Sequence, residues 1–401
     1  MSPSLRIAVV SLHTSPLESP GGADAGGMNV VVLEQSLALA RAGHQVEMFT
    51  RRSDAQAPAT VEVAPGVRLH HLAGGPPAPL AKSLMEQAIA PFAEDLRAHL
   101  QALPAGDRPD VIHSHHWFSG VAALPVARDL GVPHVQSFHS VAAPQEATGL
   151  DAGEPAESSG RIPGERQVAQ ESDLVVAVSA AEARTIAERY GVPREEVRIV
   201  RPGVDVERFR PADEPADRLA RPTLLFAARL QPLKAPELAL DVLARLAPQI
   251  DARLVLTGGV SEDFQDYRRE LEEHAAQLGV ADRVELAGSQ DRAGLAARMQ
   301  QASVLLLTSW SETFGLVALE AQASGTPVVA WRCAGGVQEA IGAGGLVLGS
   351  RDPDVWAEAV ASLLSDPQRY ARACTQSRDF ALERTWTASA QALAEIYGGL
   401  R

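Results

Sequence analysis

Residues 305–330 read LLLTSWSETFGLVALEAQASGTPVVA. The apolar run Val304 to Leu307 reads as a buried parallel strand, Ser309 to Phe314 as a polar turn, and Gly315 to Ala323, free of proline, as the helix that follows. This β-turn-α unit puts Glu312 at the carboxyl end of a strand, where ligands of open α/β sheets collect. Glu320, eight residues on, falls two helical turns further in on roughly the same face. Two carboxylates and the amides of Thr313, Phe314 and Gly315 can therefore meet one polyhydroxylated ligand.

The same alternation of apolar runs and helical stretches extends in both directions. Strands are expected at 6–12, 45–51, 67–72, 110–114, 133–139, 174–179 and 197–200, and again at 223–227, 254–258 and 284–286. Arg201-Pro202-Gly203 and the polar, Pro-rich tract 210–222 separate the two series. The expected fold class is α/β, with two Rossmann-like doubly wound domains, 1–203 and 204–384, facing across a cleft. A last helix within 385–401 is expected to pack back on the first domain.

Composition narrows the class of function. The 401 residues suffice for two cores, and 46% hydrophobic with 21% charged residues suits a soluble protein. A net charge of −14 disfavours nucleic acid and anionic membrane as partners. Cys333 and Cys374 fit no metal or redox spacing, and the opening apolar run is too short for a signal peptide core, so a cytoplasmic location is expected. Among 36 basic residues only Lys82 and Lys234 are lysines. Where arginine is the rule, a lysine marks a position that needs a compact ammonium.

Arg229 and Lys234, five residues apart after the strand 223–227, form a candidate diphosphate clamp. The loop HTSPLESPGGADAGGMN carries glycines 21, 22, 26 and 27 and delivers Gly27 and Asn29 to a helix N-terminus, where amides and dipole attract anions. It lacks both the G-x-G-x-x-G and the Walker A spacing. His113, His115 and His116 lie within four residues, but no cysteine or acidic cluster accompanies them. Hydrogen bonding to a substrate is expected there, not a metal site. The Gly-, Pro- and Glu-rich segment 142–167 is expected to be a long mobile loop that delivers Arg161.

The E-x7-E spacing, with S-E-T-F-G-L-V-A-L-E-A-Q-A-S-G-T-P-V-V around it, resembles retaining glycosyltransferases of family 4 and GT-B architecture. His13-Thr14-Ser15-Pro16, Asp24 to Asn29 and Gln231 to Pro236 extend the likeness towards the inositol 3-phosphate branch that serves mycothiol synthesis. The resemblance implies transfer of a hexose, N-acetylglucosamine from UDP-GlcNAc, to 1D-myo-inositol 3-phosphate or a related cyclitol, by a homodimer that needs no cofactor. Mg2+ is not implied. By the same likeness Gly27, Arg229 and Lys234 would hold the diphosphate and Glu320 the ribose. Glu312, Thr313 and the Phe314, Gly315 and Leu316 amides would hold the hexose, with His139 beside it. Asn29, Lys82, His116, Ser140 and Arg161 would receive the acceptor. His116 and Ser140 stand where the branch has Tyr and Thr, and A-A-P-Q-E replaces its A-A-V-K-N, so an unphosphorylated cyclitol, aminocyclitol or thiol is the alternative acceptor.

Overall fold

The computed structural model describes residues 4–18, 26–147, 149–212, 218–260, 264–333 and 335–400. The first lobe has strands β1 (Arg6–Val10), β2 (Gln45–Arg51), β3 (Thr60–Ala64), β4 (Val67–Leu72), β5 (Val111–His115), β6 (His134–Ser137), β7 (Leu174–Ala177) and β8 (Val197–Ile199). Its helices are α1 (Gly27–Arg41), α2 (Ile89–Gln101), α3 (Trp117–Leu130), α4 (Arg161–Glu171) and α5 (Ala180–Tyr190). The strands run β3-β4-β2-β1-β5-β6-β7-β8, all parallel except β3, an antiparallel edge strand with no counterpart in the expected series. Ile7 and Val9 face one layer with Val46 and Met48, while Ala8 and Val10 face the other with Phe49 and Ile112. This period of two buries both faces of the sheet under helices.

The second lobe repeats the plan with β9 (Thr223–Ala227), α6 (Pro236–Leu246), β10 (Arg253–Thr257), α7 (Tyr267–Gln277), β11 (Val284–Gly288), α8 (Arg292–Gln301), β12 (Val304–Leu307), α9 (Leu316–Ala323), β13 (Val328–Trp331), α10 (Val337–Ile341), β14 (Leu346–Leu348), α11 (Pro353–Leu364) and α12 (Pro367–Leu382). Its parallel sheet has the order β11-β10-β9-β12-β13-β14. Leu305 and Leu307 join Leu225 and Val255 on one face, and Val304 and Leu306 join Leu224 and Leu254 on the other. The strand read from the opening stretch thus lies inside its sheet, buried at every residue.

The last helix, α13 (Trp386–Gly399), returns to the first lobe and packs Trp386, Ala390, Leu393 and Tyr397 against the layer that holds Val30 and Val31 of α1. The two crossings between lobes run side by side, with the Val204 amide donating to the Arg384 carbonyl at 2.9 Å. Ser179 Oγ also donates to the Thr313 carbonyl across the lobes at 2.9 Å. No described helix is long and apolar enough to cross a membrane.

Two local expectations are corrected. The sequence reads as one helix from Met85 to Leu103, but segment 82–101 is a 3-10 turn over Lys82–Ala88 followed by α2. Arg161 opens a helix, α4, not a loop; Arg161 and Glu165 are buried on its inner face beside Gly164 and Val168, so hydrophobic periodicity gives no sign of it.

Candidate active site

The carboxyl ends of both sheets face one cleft, as in other open α/β sheets. It has two joined compartments of about 260 and 220 Å³, and both are lined by Gly26, Gly27, Arg229, Lys234, Glu312 and Leu316. The larger one extends into the first lobe, past His13, Lys82, His116, His139, Ser140 and Glu154. The smaller extends into the second, past Thr257, Gln290, Arg292 and Glu320.

Where they meet, two helix N-termini converge. A Cβ built on Gly26 or Gly27 would meet nothing within 4 Å, so the protein's own packing does not require these glycines, and the cleft fills the space they leave. Glycines 21 and 22 lie outside the described residues. From the other side come the amides at the start of α9, behind Gly315, whose φ of +95° is the left-handed conformation glycine tolerates. Each N-terminus carries roughly half a positive charge. The turn that presents Glu312 is braced from behind by Gly335, where a Cβ would stand 1.5 Å from the Glu312 carbonyl oxygen.

Lys234 Nζ lies 2.7 Å from Glu312 Oε1, which also accepts from Ser309 Oγ at 2.7 Å. In the smaller compartment Glu320 is buried, and burial raises its carboxyl above the usual range against the pull of Arg292. Arg292 Nη1 lies 2.7 Å from Glu320 Oε1 and pairs with the buried carboxyl at the compartment wall.

In the larger compartment Lys82 Nζ sits 3.2 Å from Glu154 Oε1. Burial would raise the Glu154 pKa, but Lys82, Arg161 and Arg229 outweigh it and hold the carboxyl down at about 2. His116, at φ +70°, has both ring nitrogens buried without a partner among the described residues, and His13 Nδ1 is in the same state. Their rings are tilted by 43° to each other with centroids 4.4 Å apart. Burial, helped by the charge of Lys82, lowers His13 to about 3, and burial with His13 and Lys82 as neighbours takes His116 well below its usual value. Both imidazoles are therefore neutral near pH 7. Burial also lowers His139 to about 4, and its Nε2 pairs with His115 Nδ1 at 2.7 Å.

All the expected site residues line one compartment or the other except Arg161, which forms no part of either wall. Its side chain is fully buried; Nε donates to Glu165 at 2.8 Å, Nη1 to Glu157 at 2.6 Å and Nη2 to Ser140 Oγ at 3.0 Å. A guanidinium so engaged braces the wall that carries Ser140. Asn29 lines the cleft, yet its amide donates to Thr14 Oγ1 and the Ser15 carbonyl and accepts from the Gly26 amide, which ties the loop to the start of α1. The histidine cluster divides as well. His113 bonds internally to Tyr397 and Ser137, and His115 to His139, which leaves His116 alone of the three on the cleft wall. Among the described residues no group of three His, Cys, Asp or Glu is placed to hold a metal ion.

Sequence reasoning missed His13, Gln231, Gln290, Arg292 and Glu154 as wall residues. His13 and Gln231 sat in motifs already singled out. Glu154 meets Lys82 across 72 positions, and no local pattern announces such a pair.

Residues 25–208 match the family described as Glycosyltransferase Family 4, and residues 212–380 match Glycosyl transferases group 1. A D-inositol 3-phosphate glycosyltransferase from Stackebrandtia nassauensis is 40% identical over 98% of this chain and 91% of that protein. The chain belongs to glycosyltransferase family 4. This glycosyltransferase also superposes on sucrose-phosphate synthase of Thermosynechococcus elongatus with a TM-score of 0.88 at 27% identity, covering 99% of both chains. Anabaena HepE, solved with UDP-glucose, aligns at 0.75 and 19% identity over 99% of this chain and all of that one, a likeness of fold. The enzyme thus has the GT-B architecture, with its cleft between two Rossmann-like lobes.

Proposed function

We propose that this glycosyltransferase moves N-acetylglucosamine from UDP-GlcNAc, with retention at the anomeric carbon, to a hydroxyl of 1D-myo-inositol 3-phosphate or a closely related cyclitol. The observation that carries the reading is the anion cradle at the middle of the cleft. Arg229, Lys234, the Gly26-Gly27 amides and the start of α9 surround one space of diphosphate size. A nucleoside diphosphate laid there would reach Glu320 with its ribose, whose hydroxyls can donate to the carboxylate. The sugar would lie against Glu312, Thr313 and His139, and the acceptor beyond it towards His116 and Ser140.

No described nucleophile-base pair faces the anomeric position in this reading, so displacement occurs on the front face. The bond between the anomeric carbon and the diphosphate oxygen breaks as the acceptor oxygen bonds on the same side, and the acceptor proton passes to the departing phosphate. Lys234 and Arg229 neutralise the charge that grows on that phosphate. Because two side-chain cations do this work, turnover is expected to persist in excess chelator. The test is mass spectrometry of products formed from UDP-GlcNAc with inositol 3-phosphate, free inositols and aminocyclitols. Absence of any hexosylated product, with UDP itself failing to bind, would overturn the donor assignment.

A further inference from the structure

The inference rests on the transferase reading above and concerns two residues that line neither compartment of the cleft, Ser179 and Glu339. Ser179 is the N-cap of α5 in the first lobe, and Glu339 sits on the short helix α10 of the second. Glu339 Oε1 accepts from the Ala180 amide, the first of α5, at 2.7 Å, while Oε2 accepts from Nε of Arg201, in the crossing between the lobes, at 2.8 Å. A carboxylate of one lobe therefore caps a helix of the other, where an orphan amide and the helix dipole both favour negative charge.

This contact stands directly behind the turn that carries Glu312. The Thr313 carbonyl accepts from Ser179 Oγ at 2.9 Å and from the Gly336 amide at 3.1 Å, and that amide also lies 3.1 Å from the Glu312 carbonyl oxygen. The fit is close, since a Cβ on Gly336 would stand 2.6 Å from both Ser179 Cβ and the Thr313 oxygen. Two residues after Arg201, a Cβ on Gly203 would lie 2.3 Å from the Thr385 carbonyl carbon, so the crossings are fixed against each other. Ser179 and Glu339 then hold the angle between the lobes at a second point. Glu312 and Thr313 belong to the second lobe, whereas Lys82, His116 and His139 belong to the first. That angle sets how far the two ends of the cleft stand apart.

We propose that Ser179 and Glu339 are positioning residues for the transfer. They latch the lobes together and, through the Thr313 carbonyl, fix the turn that receives the donor sugar.

The test compares the wild type with Glu339→Ala, Glu339→Gln and Ser179→Asp. It reads the radius of gyration by small-angle X-ray scattering with and without UDP, UDP affinity by calorimetry, and kcat with UDP-GlcNAc and the best acceptor among inositol 3-phosphate, free inositols and aminocyclitols. Glu339→Ala should lower kcat about tenfold and enlarge the radius of gyration, with UDP affinity unchanged. Glu339→Gln keeps an oxygen for the Ala180 amide and should recover most of the loss. Ser179→Asp remains an N-cap but cannot donate to the Thr313 carbonyl, and it should behave as Glu339→Ala does. An unchanged kcat or an unchanged radius of gyration in Glu339→Ala would overturn the proposal and leave the transferase reading standing. So would a Glu339→Gln variant no better than Glu339→Ala, because the contact with α5 would then have no part in the effect. If the wild type neither binds UDP nor transfers a hexose, the transferase reading falls, and scattering without UDP decides the latch alone.

Discussion

The chain's two lysines stand at opposite ends of one cleft, each against a glutamate, at 2.7 Å for Lys234 with Glu312 and 3.2 Å for Lys82 with Glu154. The pairs look alike, but their surroundings differ. Lys234, Arg229 and Arg292 together outnumber Glu312 and Glu320 by three to two, and two helix N-termini add to the positive side. Around Lys82, Glu154, Glu157 and Glu165 answer Lys82 and Arg161, with Arg229 also acting on Glu154. In a protein of net charge −14, the described cations of the cleft are thus paired more closely at this end than where a diphosphate would lie. What decides a subsite's ligand is the charge left over after the protein has paired its own groups.

Lys234→Ala tests the positive end most severely. On the proposed mechanism it removes the ammonium that meets charge on the leaving diphosphate, and kcat should fall about 10³-fold with an unchanged circular dichroism spectrum. Turnover near the wild-type rate would show that the cradle does not carry the chemistry. Arg161→Met tests the other end, and there the expected loss is stability. Removing one partner leaves Glu157 and Glu165 buried and uncompensated, which costs about 3–5 kcal/mol in denaturant unfolding. A small stability change with a raised acceptor KM would instead make Arg161 a substrate ligand and dissolve the contrast between the ends. A milder probe is Glu320→Gln, which should weaken UDP binding about tenfold by calorimetry and leave the acceptor KM alone.

The positive end was legible in the sequence because its parts are neighbours in the chain. Glu312 and Glu320 share one strand-turn-helix unit, and Arg229 and Lys234 share one turn, so spacing alone brings them together. The acceptor end has no such unit. Lys82, His116 and the pair His139 and Glu154 arrive from three separate connections, and their relations exist only after the strands have aligned. Arg161 shows the limit most clearly: Glu157 and Glu165 stand four residues to either side of it, but that spacing pairs charges only once the segment is helical, and its full burial is a tertiary fact. Most of the strand alternation was readable, whereas β3, β13, β14, α8, α10 and α12 escaped because short strands, a five-residue helix and mostly polar helices offer little apolar periodicity.

The two lobes differ in a further respect, and acid should expose it. Ten of the 11 histidines belong to the first lobe and one, His274, to the second. Burial lowers eight of the ten, at positions 13, 44, 99, 113, 115, 116, 134 and 139, with His13 and His134 near 3 and His139 near 4. Between those values and the usual 6.5 the unfolded chain binds more protons than the folded one, so stability falls as the pH falls. Each such proton contributes a slope of about 1.4 kcal/mol per pH unit. Glu182 opposes this: burial raises it to about 7, the folded state then binds the extra proton, and its contribution grows as the pH falls from 7 towards 4.5. Glu320, also raised by burial, acts in the same direction as Glu182, but two carboxyls against eight imidazoles leave the sign unchanged. The melting temperature should therefore drop steadily from pH 6.5 to 4.5, and fluorescence from Trp117 in the first lobe should change at a higher pH than fluorescence from Trp356 in the second, each read in a single-tryptophan variant. Coincident transitions, or a melting temperature flat across that range, would show that the buried histidines do not set the acid limit and that the lobes unfold as one unit.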